Sequence, residues 1–258
     1  MLTVVAGPCG AGKTTWILQE LAQEPTSAVY VTPGAGSVPI DATLVAAKFP
    51  QVEIFHQQSE TELLQRLTAG IPIYLELGFQ LEIDVPFLKT IPHRRVALVA
   101  EENQDAGWQR WADEVILGNR STLNPLLAQL WRAPLSGQVF DPPSLDTFWQ
   151  ELVQGAYGEV HRAKGIFDLA DGQAFHFDFV NSLLGRAYTE LKLPRWVQGR
   201  PNRFSGIEVV GHGLHGDGDG PLGRSSTIAA TLKDCYLSDS LLAAHQAALK
   251  DTLPQEVT

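Results

Sequence analysis

Eight residues near the N-terminus, Gly7-Pro8-Cys9-Gly10-Ala11-Gly12-Lys13-Thr14, carry the spacing G-x-x-x-x-G-K-[ST]. The chemistry this spacing serves is the holding of nucleotide phosphates. Its glycines let the backbone wrap an anion without Cβ clashes and turn successive N–H groups inward. Lys13 is expected to bridge the β- and γ-phosphates as the catalytic cation, and Thr14 to ligate Mg²⁺ through its hydroxyl. The start of the following helix adds positive potential. Gly7, Gly10, Ala11, Gly12, Lys13, Thr14 and Thr15 are the predicted phosphate-binding set. A metal at such a loop needs an acid. Ile71-Pro-Ile-Tyr-Leu-Glu76 ends an apolar run on a carboxylate, so Glu76 is expected to hold a Mg²⁺-bound water or polarise the attacking one. Asp41 is a second acid, read either as a metal candidate or as a helix cap.

Three further groupings have chemical possibilities. Cys9 lies inside the loop, near a helix N-terminus that lowers a thiol pKa, or it is a small apolar filler. The run His212-Gly-Leu-His215-Gly-Asp217-Gly-Asp219-Gly220 offers mixed N and O ligands to a divalent ion, or it is a solvated glycine-rich loop. Lys192, Arg195, Arg200 and Arg203 surround Trp196, as a phosphate or acidic-partner contact or as a charge-balanced surface segment.

The elements that must position these residues follow from periodicity. Leu2–Ala6 is a short apolar run stopped by Gly7, the pattern of a buried strand, and residues 14–23 have the apolar spacing of an amphipathic helix. Strands are expected over 28–31, 52–55, 71–75, 95–100 and 114–117, and helices over 41–48 and 59–67, the last opened by a Ser59/Glu62 capping box. This alternation predicts an α/β fold, a largely parallel sheet of the P-loop NTPase type with helices on both faces. The stretch 133–143 holds Pro134, Gly137, Pro142 and Pro143 and reads as a linker. It divides a nucleotide-binding domain, residues 1–140, from a smaller C-terminal α+β domain, residues 150–258. In the latter, 159–169 and 173–180 flank Asp171-Gly172 as a hairpin. Gly206–Gly211 reads as another strand, 218–223 as a loop, and helices are expected near 144–154 and before Lys250.

Composition limits the partners. There are 29 acidic against 19 basic residues, a net charge of −10, so a broad nucleic-acid footprint is not expected. Two cysteines, Cys9 and Cys235, cannot build a disulfide framework or a thiolate cluster. No basic residue precedes the first apolar run, and nowhere do about 18 apolar residues follow one another. A secretory signal and a membrane span are therefore not expected, and a cytoplasmic protein is.

Taken together, these motifs resemble the CobW-like family of phosphate-loop GTPases. The resemblance rests on the phosphate loop through Thr15, on Pro39-Ile40-Asp41-Ala42 as a switch segment, and on Glu76-Leu77-Gly78 as a Glu-x-x-Gly motif one residue short. It also rests on 111–120, whose Asn119-Arg120 matches the start of an Asn-Lys-x-Asp base-reading motif, and on His161-Arg162-Ala163-Lys164-Gly165, matching an Arg-x-Lys-Gly signature of the C-terminal domain. Arg203–Gly211 and Leu232–Cys235 resemble its later strand and helix. What the resemblance implies is hydrolysis of GTP with Mg²⁺, base contacts from Asn119 and Arg120, a protein client at the C-terminal domain, and a role in metal handling or cobalamin-related assembly.

The departures have their own implications. Where the family carries a Cys-x-Cys-Cys metal motif, this chain reads Phe55-His56-Gln57-Gln58-Ser59, so no zinc thiolate site is expected. Thr122 stands where the guanine-reading carboxylate would be, and a single hydroxyl cannot make its paired contacts, so GTP preference is expected to relax toward ATP. Thr32-Pro33-Gly34-Ala35-Gly36-Ser37 replaces an acidic switch segment, which would slow hydrolysis. Two other readings stay open: a regulatory or scaffold protein that binds nucleotide without turnover, and a small-molecule kinase.

Overall fold

The computed structural model describes residues 1–23, 27–34, 36–55, 60–78, 86–100, 106–183, 185, 187–216 and 227–252. The chain forms two compact units, Met1–Leu123 and Asn124–Thr258.

The first unit is built on β1 (Leu2–Ala6), β2 (Val29–Val31), β3 (Glu53–Phe55), β4 (Ile73–Glu76), β5 (His93–Val99) and β6 (Glu114–Leu117). They lie in the order β3-β2-β4-β1-β5-β6, every pairing parallel. Successive side chains of a strand face opposite sides. Leu2, Val4 and Ala6 of β1 therefore enter one core, with Leu63 of α3 (Glu60–Thr68) and Trp108 and Trp111 of α4 (Ala106–Trp111). Val5 enters the other, with Ile17 and Leu21 of α1 (Lys13–Gln23) and Ala42 and Val45 of α2 (Ile40–Lys48). Both faces are covered, as a parallel sheet requires. This is the α/β class expected from the alternation.

Asp41 does not cap α2. Pro39 holds the cap position and Asp41 lies inside the first helical turn, where its charge still complements the helix dipole. Ser59 of the expected capping box lies outside the described residues.

The second unit has a six-stranded sheet of β7 (Gln129–Pro134), β8 (Val139–Phe140), β9 (Glu159–Leu169), β10 (Ala174–Val180), β11 (Ala187–Glu190) and β12 (Gly206–His212). Its path is β11-β10-β9-β12-β7, all antiparallel, with β8 added parallel to β9. Helices α5 (Pro142–Val153), α6 (Ile228–Asp234) and α7 (Asp239–Thr252) complete it. This is the expected α+β composition, but the division falls earlier than residues 133–143. The prolines that suggested a linker each have a place inside the unit. Pro134 ends an edge strand, where a missing N–H is tolerated. Gly137 turns at φ +81°. Pro142 and Pro143 open α5 behind the Asp141 cap, whose carboxylate accepts from the Ser144 N–H at 3.1 Å.

The core of this unit is aromatic. Trp149 of α5 stands edge-on to Phe177 at 5.2 Å and to Phe167 at 6.0 Å, with Phe140, Phe148 and Tyr157 around them. The Arg162-x-Lys164-Gly165 segment has a structural explanation here. Arg162 pairs with Asp178 across to β10, and Lys164 reaches Glu208 at 3.0 Å on β12. A Cβ at Gly165 would meet the Phe167 ring at 2.5 Å, so the core aromatic needs glycine there.

Candidate functional site

The phosphate loop sits where β1 ends and α1 begins, at the carboxyl edge of the parallel sheet. Its glycines are required one by one. Gly7 has φ +151°, and a Cβ there would lie 2.3 Å from the Leu98 carbonyl oxygen of β5. Gly10 and Gly12 have φ +78° and +99°, conformations that L side chains rarely adopt. The Lys13 Nζ donates to the Gly7 and Pro8 carbonyls at 2.9 and 3.0 Å, which holds the ammonium against the loop backbone. The side chain is buried. Ala11 is buried within the core under α1, whereas Thr15 is exposed.

Glu76 is brought to this loop by sheet register. β4 pairs with β1, Val5 opposite Glu76, so the last residue of β4 stands beside the start of the loop. The Thr14 hydroxyl donates to Glu76 Oε1 at 2.9 Å. The Tyr30 hydroxyl donates to Glu76 Oε2 at 2.8 Å. Glu76 is only 6% exposed and Tyr30 is fully buried. One carboxylate oxygen thus faces the loop threonine and the other is fixed from behind by β2.

Tyr30 was not expected from sequence. Its signal is a hydroxyl in the middle of Val-Tyr-Val, on a strand buried throughout, where a polar group needs a partner. Burial pushes its pKa well above the ordinary value, and the charges of Glu76 and Asp41 push it further. The phenol therefore stays protonated and remains a donor at every physiological pH. Tyr30→Phe leaves Glu76 Oε2 without that donor in a buried place, and is expected to destabilise the first unit by about 1–3 kcal/mol. Urea unfolding followed by circular dichroism checks this; an unchanged midpoint would remove Tyr30 from the site.

Asn119 follows β6 and is tied to the loop rather than free of it. Its backbone N–H donates to the Ala11 carbonyl at 3.0 Å, and its side-chain Nδ2 donates to the Gly10 carbonyl at 3.1 Å. Gly118 permits this approach, since a Cβ there would stand 2.7 Å from the Ala11 oxygen. Arg120 and Thr122 are exposed beyond it. Cys9 is half-buried in the loop, whereas burial pushes the Cys235 thiol to about 11, an unreactive value.

The remaining groupings are placed as follows. Arg200 donates to Asp239 and to the carbonyls of Gly137 and Leu237, and Arg203 to Asp168 and to the carbonyls of Pro194 and Gly172. These two arginines brace loops of the second unit, while Lys192 and Arg195 are exposed. His212 ends β12, and His215 is held by its backbone N–H to the Tyr157 carbonyl. Asp217 and Asp219, and the loop 218–223, lie outside the described residues. So do residues 56–59, where no zinc thiolate site is expected, and Ala35 of the switch segment.

A six-stranded parallel sheet, a strand–glycine loop–helix turn and an acid on the neighbouring strand define a P-loop NTPase-type fold. No protein-family model matches the sequence, and no curated protein does. Among solved structures, the chain is similar to the Zn(II)-bound YjiA GTPase from E. coli, at 14% identity over 96% of this chain and 98% of that one, with a TM-score of 0.28. A Zn(II)-bound triple mutant of YjiA GTPase gives the same identity and coverage with a TM-score of 0.29. The fold class is read from this chain's own strand order and loop geometry. Among the described residues no helix is long and apolar enough to cross a membrane.

Proposed function

We propose that the first unit binds a nucleoside triphosphate with Mg²⁺ and hydrolyses its terminal phosphate. The observation that carries this reading is the contact of Thr14 with Glu76, an oxygen pair at the mouth of a glycine loop that ends in Lys13. The donor set fits Mg²⁺: a hydroxyl and a carboxylate are hard oxygen ligands, and the ion ordinarily takes only one or two from protein, leaving the rest to phosphate and water. Thr14 and Glu76 would hold it, and it would neutralise charge on the phosphates. Gly7, Gly10, Ala11, Gly12 and Thr15 would shape the backbone cradle, with Lys13 stabilising charge as the phosphoryl group leaves. Preorganised donors rather than covalent intermediates would do the chemistry.

GTP, with ATP as a competitor, is the proposed substrate, and Asn119 and Arg120 are the proposed base contacts. The tie of Asn119 to the loop supports a coupling between base reading and loop shape. A role in metal handling or cobalamin-related assembly, with a protein client at the second unit, is the finer reading that the motif resemblance supports. Nucleotide binding without turnover is the second reading, favoured by the glycine-rich segment in place of an acidic switch.

Lys13→Ala tests the binding. Loss of the ammonium is expected to reduce affinity for GTP by at least about 100-fold, the equivalent of roughly 2.7 kcal/mol. Fluorescent-nucleotide titration measures it, and intact affinity would sink the assignment. Phosphate release in a single turnover then separates hydrolysis from a non-hydrolysing switch. Competition of GTP with ATP on wild type and Thr122→Asp reads the base site: the variant is expected to shift toward GTP, and an unchanged ratio would remove position 122 from base recognition.

A further inference from the structure

The second unit carries a cluster that the nucleotide reading does not use. Glu159 and His161 lie two residues apart on β9, and His212 is the cross-strand partner of Glu159 on β12. Register explains why they converge. Val210 opposes Arg162 and Gly211 opposes Val160, so β9 has one residue more than β12 at this point, and His161 is that residue. A bulge of this kind re-aims a side chain and is frequent beside sites. Gly211 makes room for the turn of the strands: a Cβ there would lie 2.1 Å from the Glu159 carbonyl oxygen.

The three side chains meet through their ligating atoms. His161 Nε2 is 3.2 Å from His212 Nδ1 and 3.2 Å from Glu159 Oε1, and His212 Nδ1 is 3.5 Å from Glu159 Oε2. A tetrahedral ion with bonds of roughly 2.0–2.1 Å separates its ligand atoms by roughly 3.3–3.4 Å. The observed spacing matches that without rearrangement of the strands.

The tautomer of His212 is set from outside the cluster. Its Nε2 lies 3.3 Å from the Asn124 carbonyl oxygen, which only accepts, so Nε2 carries the hydrogen. That tautomer presents the lone pair of Nδ1 inward. A backbone carbonyl on the far nitrogen is the usual outer support of a metal-bound histidine. Access is provided as well: the Glu159 side chain is 63% exposed and that of His212 20%, while His161 is buried behind them.

The geometry points to Glu159, His161 and His212 as a binding site for a divalent transition-metal ion, Zn²⁺ or an ion of similar softness such as Co²⁺. Two imidazoles and one carboxylate select this group over Mg²⁺ and Ca²⁺, which prefer all-oxygen shells. Three protein ligands leave the fourth position to water or an exchangeable ligand. The site stands on the second unit alone, does not depend on nucleotide binding, and contains no thiolate.

Titration of the full chain, without nucleotide or any added histidine tag, tests it. Zn²⁺ is followed by calorimetry and Co²⁺ by its visible spectrum. The expected result is one ion per chain, with the intense bands of four-coordinate Co²⁺ and no sulfur charge-transfer band, which rules out Cys9 and Cys235. His161→Ala and His212→Ala should each weaken the binding by more than about 100-fold, beyond what loss of an outer hydrogen bond costs. Glu159→Gln should weaken it too, and its solvent-facing side chain keeps the test decisive if His161→Ala does not fold. His245→Ala, on exposed surface of α7, should leave binding unchanged. No binding by the wild type, or binding untouched by the three substitutions, would overturn the site and leave a hydrogen-bonded His–His–Glu triad.

Discussion

Glu76→Gln is expected to slow single-turnover phosphate release by about 10²–10³-fold while nucleotide affinity stays within about tenfold. The substitution keeps the shape of the side chain and removes only its charge. In the wild-type site both carboxylate oxygens accept, one from Thr14 and one from Tyr30. Glutamine offers one acceptor and one donor, so one of those hydroxyls must turn to accept instead. The loop, Lys13 and the helix start are untouched, so most of the proposed phosphate contacts would survive. What is lost is the negative charge that, under the proposed function, would hold a metal or orient water during phosphoryl transfer. Rapid-quench measurement with excess enzyme, beside equilibrium titration with a non-hydrolysable analogue, checks the split. Equal loss of affinity and rate would make Glu76 a binding residue, and an unchanged rate would take it out of the chemistry. Because Tyr30→Phe disturbs the same carboxylate without changing its charge, its rate defect should be the smaller of the two.

Arg203→Ala is expected to destabilise the second unit by about 3–5 kcal/mol. The guanidinium contacts Asp168 Oδ1 through Nε at 2.7 Å and through Nη2 at 2.6 Å, the Pro194 carbonyl at 2.7 Å and the Gly172 carbonyl at 3.0 Å. It therefore ties β9 to the hairpin turn and to the segment that follows β11. The Asp168 side chain is 2% exposed, so removing the arginine leaves a carboxylate buried without its countercharge. Differential scanning calorimetry should show a melting shift on the order of 10 °C or more for a unit of this size.

The pH dependence identifies the cause. Burial already holds the Asp168 carboxyl above the usual range, against the lowering effect of Arg203. Without the arginine its pKa rises further. A carboxyl with a raised folded-state pKa binds its proton more tightly in the folded than in the unfolded chain, so stability falls as pH rises through the folded pKa. The deficit of Arg203→Ala relative to wild type should accordingly narrow as pH falls toward the unfolded carboxyl value of about 3.9. A deficit constant with pH would point to lost packing of the arginine stem rather than to the stranded charge. Arg203→Lys keeps the charge but not the fork, and should recover only part of the stability.

Much of the first unit was legible because its determinants are local. The phosphate loop is a run of eight residues between an apolar strand and an amphipathic helix, and each of its glycines answers to a positive φ of the loop's own backbone. Glu76 was legible as the polar end of an apolar run. Tyr30 was not, because a tyrosine in a strand reads as core until the register shows which carboxylate its hydroxyl meets. Edge strands were the other loss. β7 and β11 are short and border the sheet; β7 mixes exposed with half-buried residues and Tyr188, Thr189 and Glu190 of β11 are all exposed, so both lack the alternation that marks an inner strand. The prolines between 133 and 143 carry the same signal in a linker, at a strand end and at a helix start, and the chain uses them for the last two.

By itself, then, the sequence determined the phosphate loop, the parallel α/β class and the acid available to that loop, since each depends on residues near one another along the chain. Tertiary structure alone decided where the first unit ends, which hydroxyls hold Glu76, and that His212 turns toward Glu159 and His161 on β9. Those outcomes depend on strand register, and a shift of one residue along a strand moves every side chain to the opposite face.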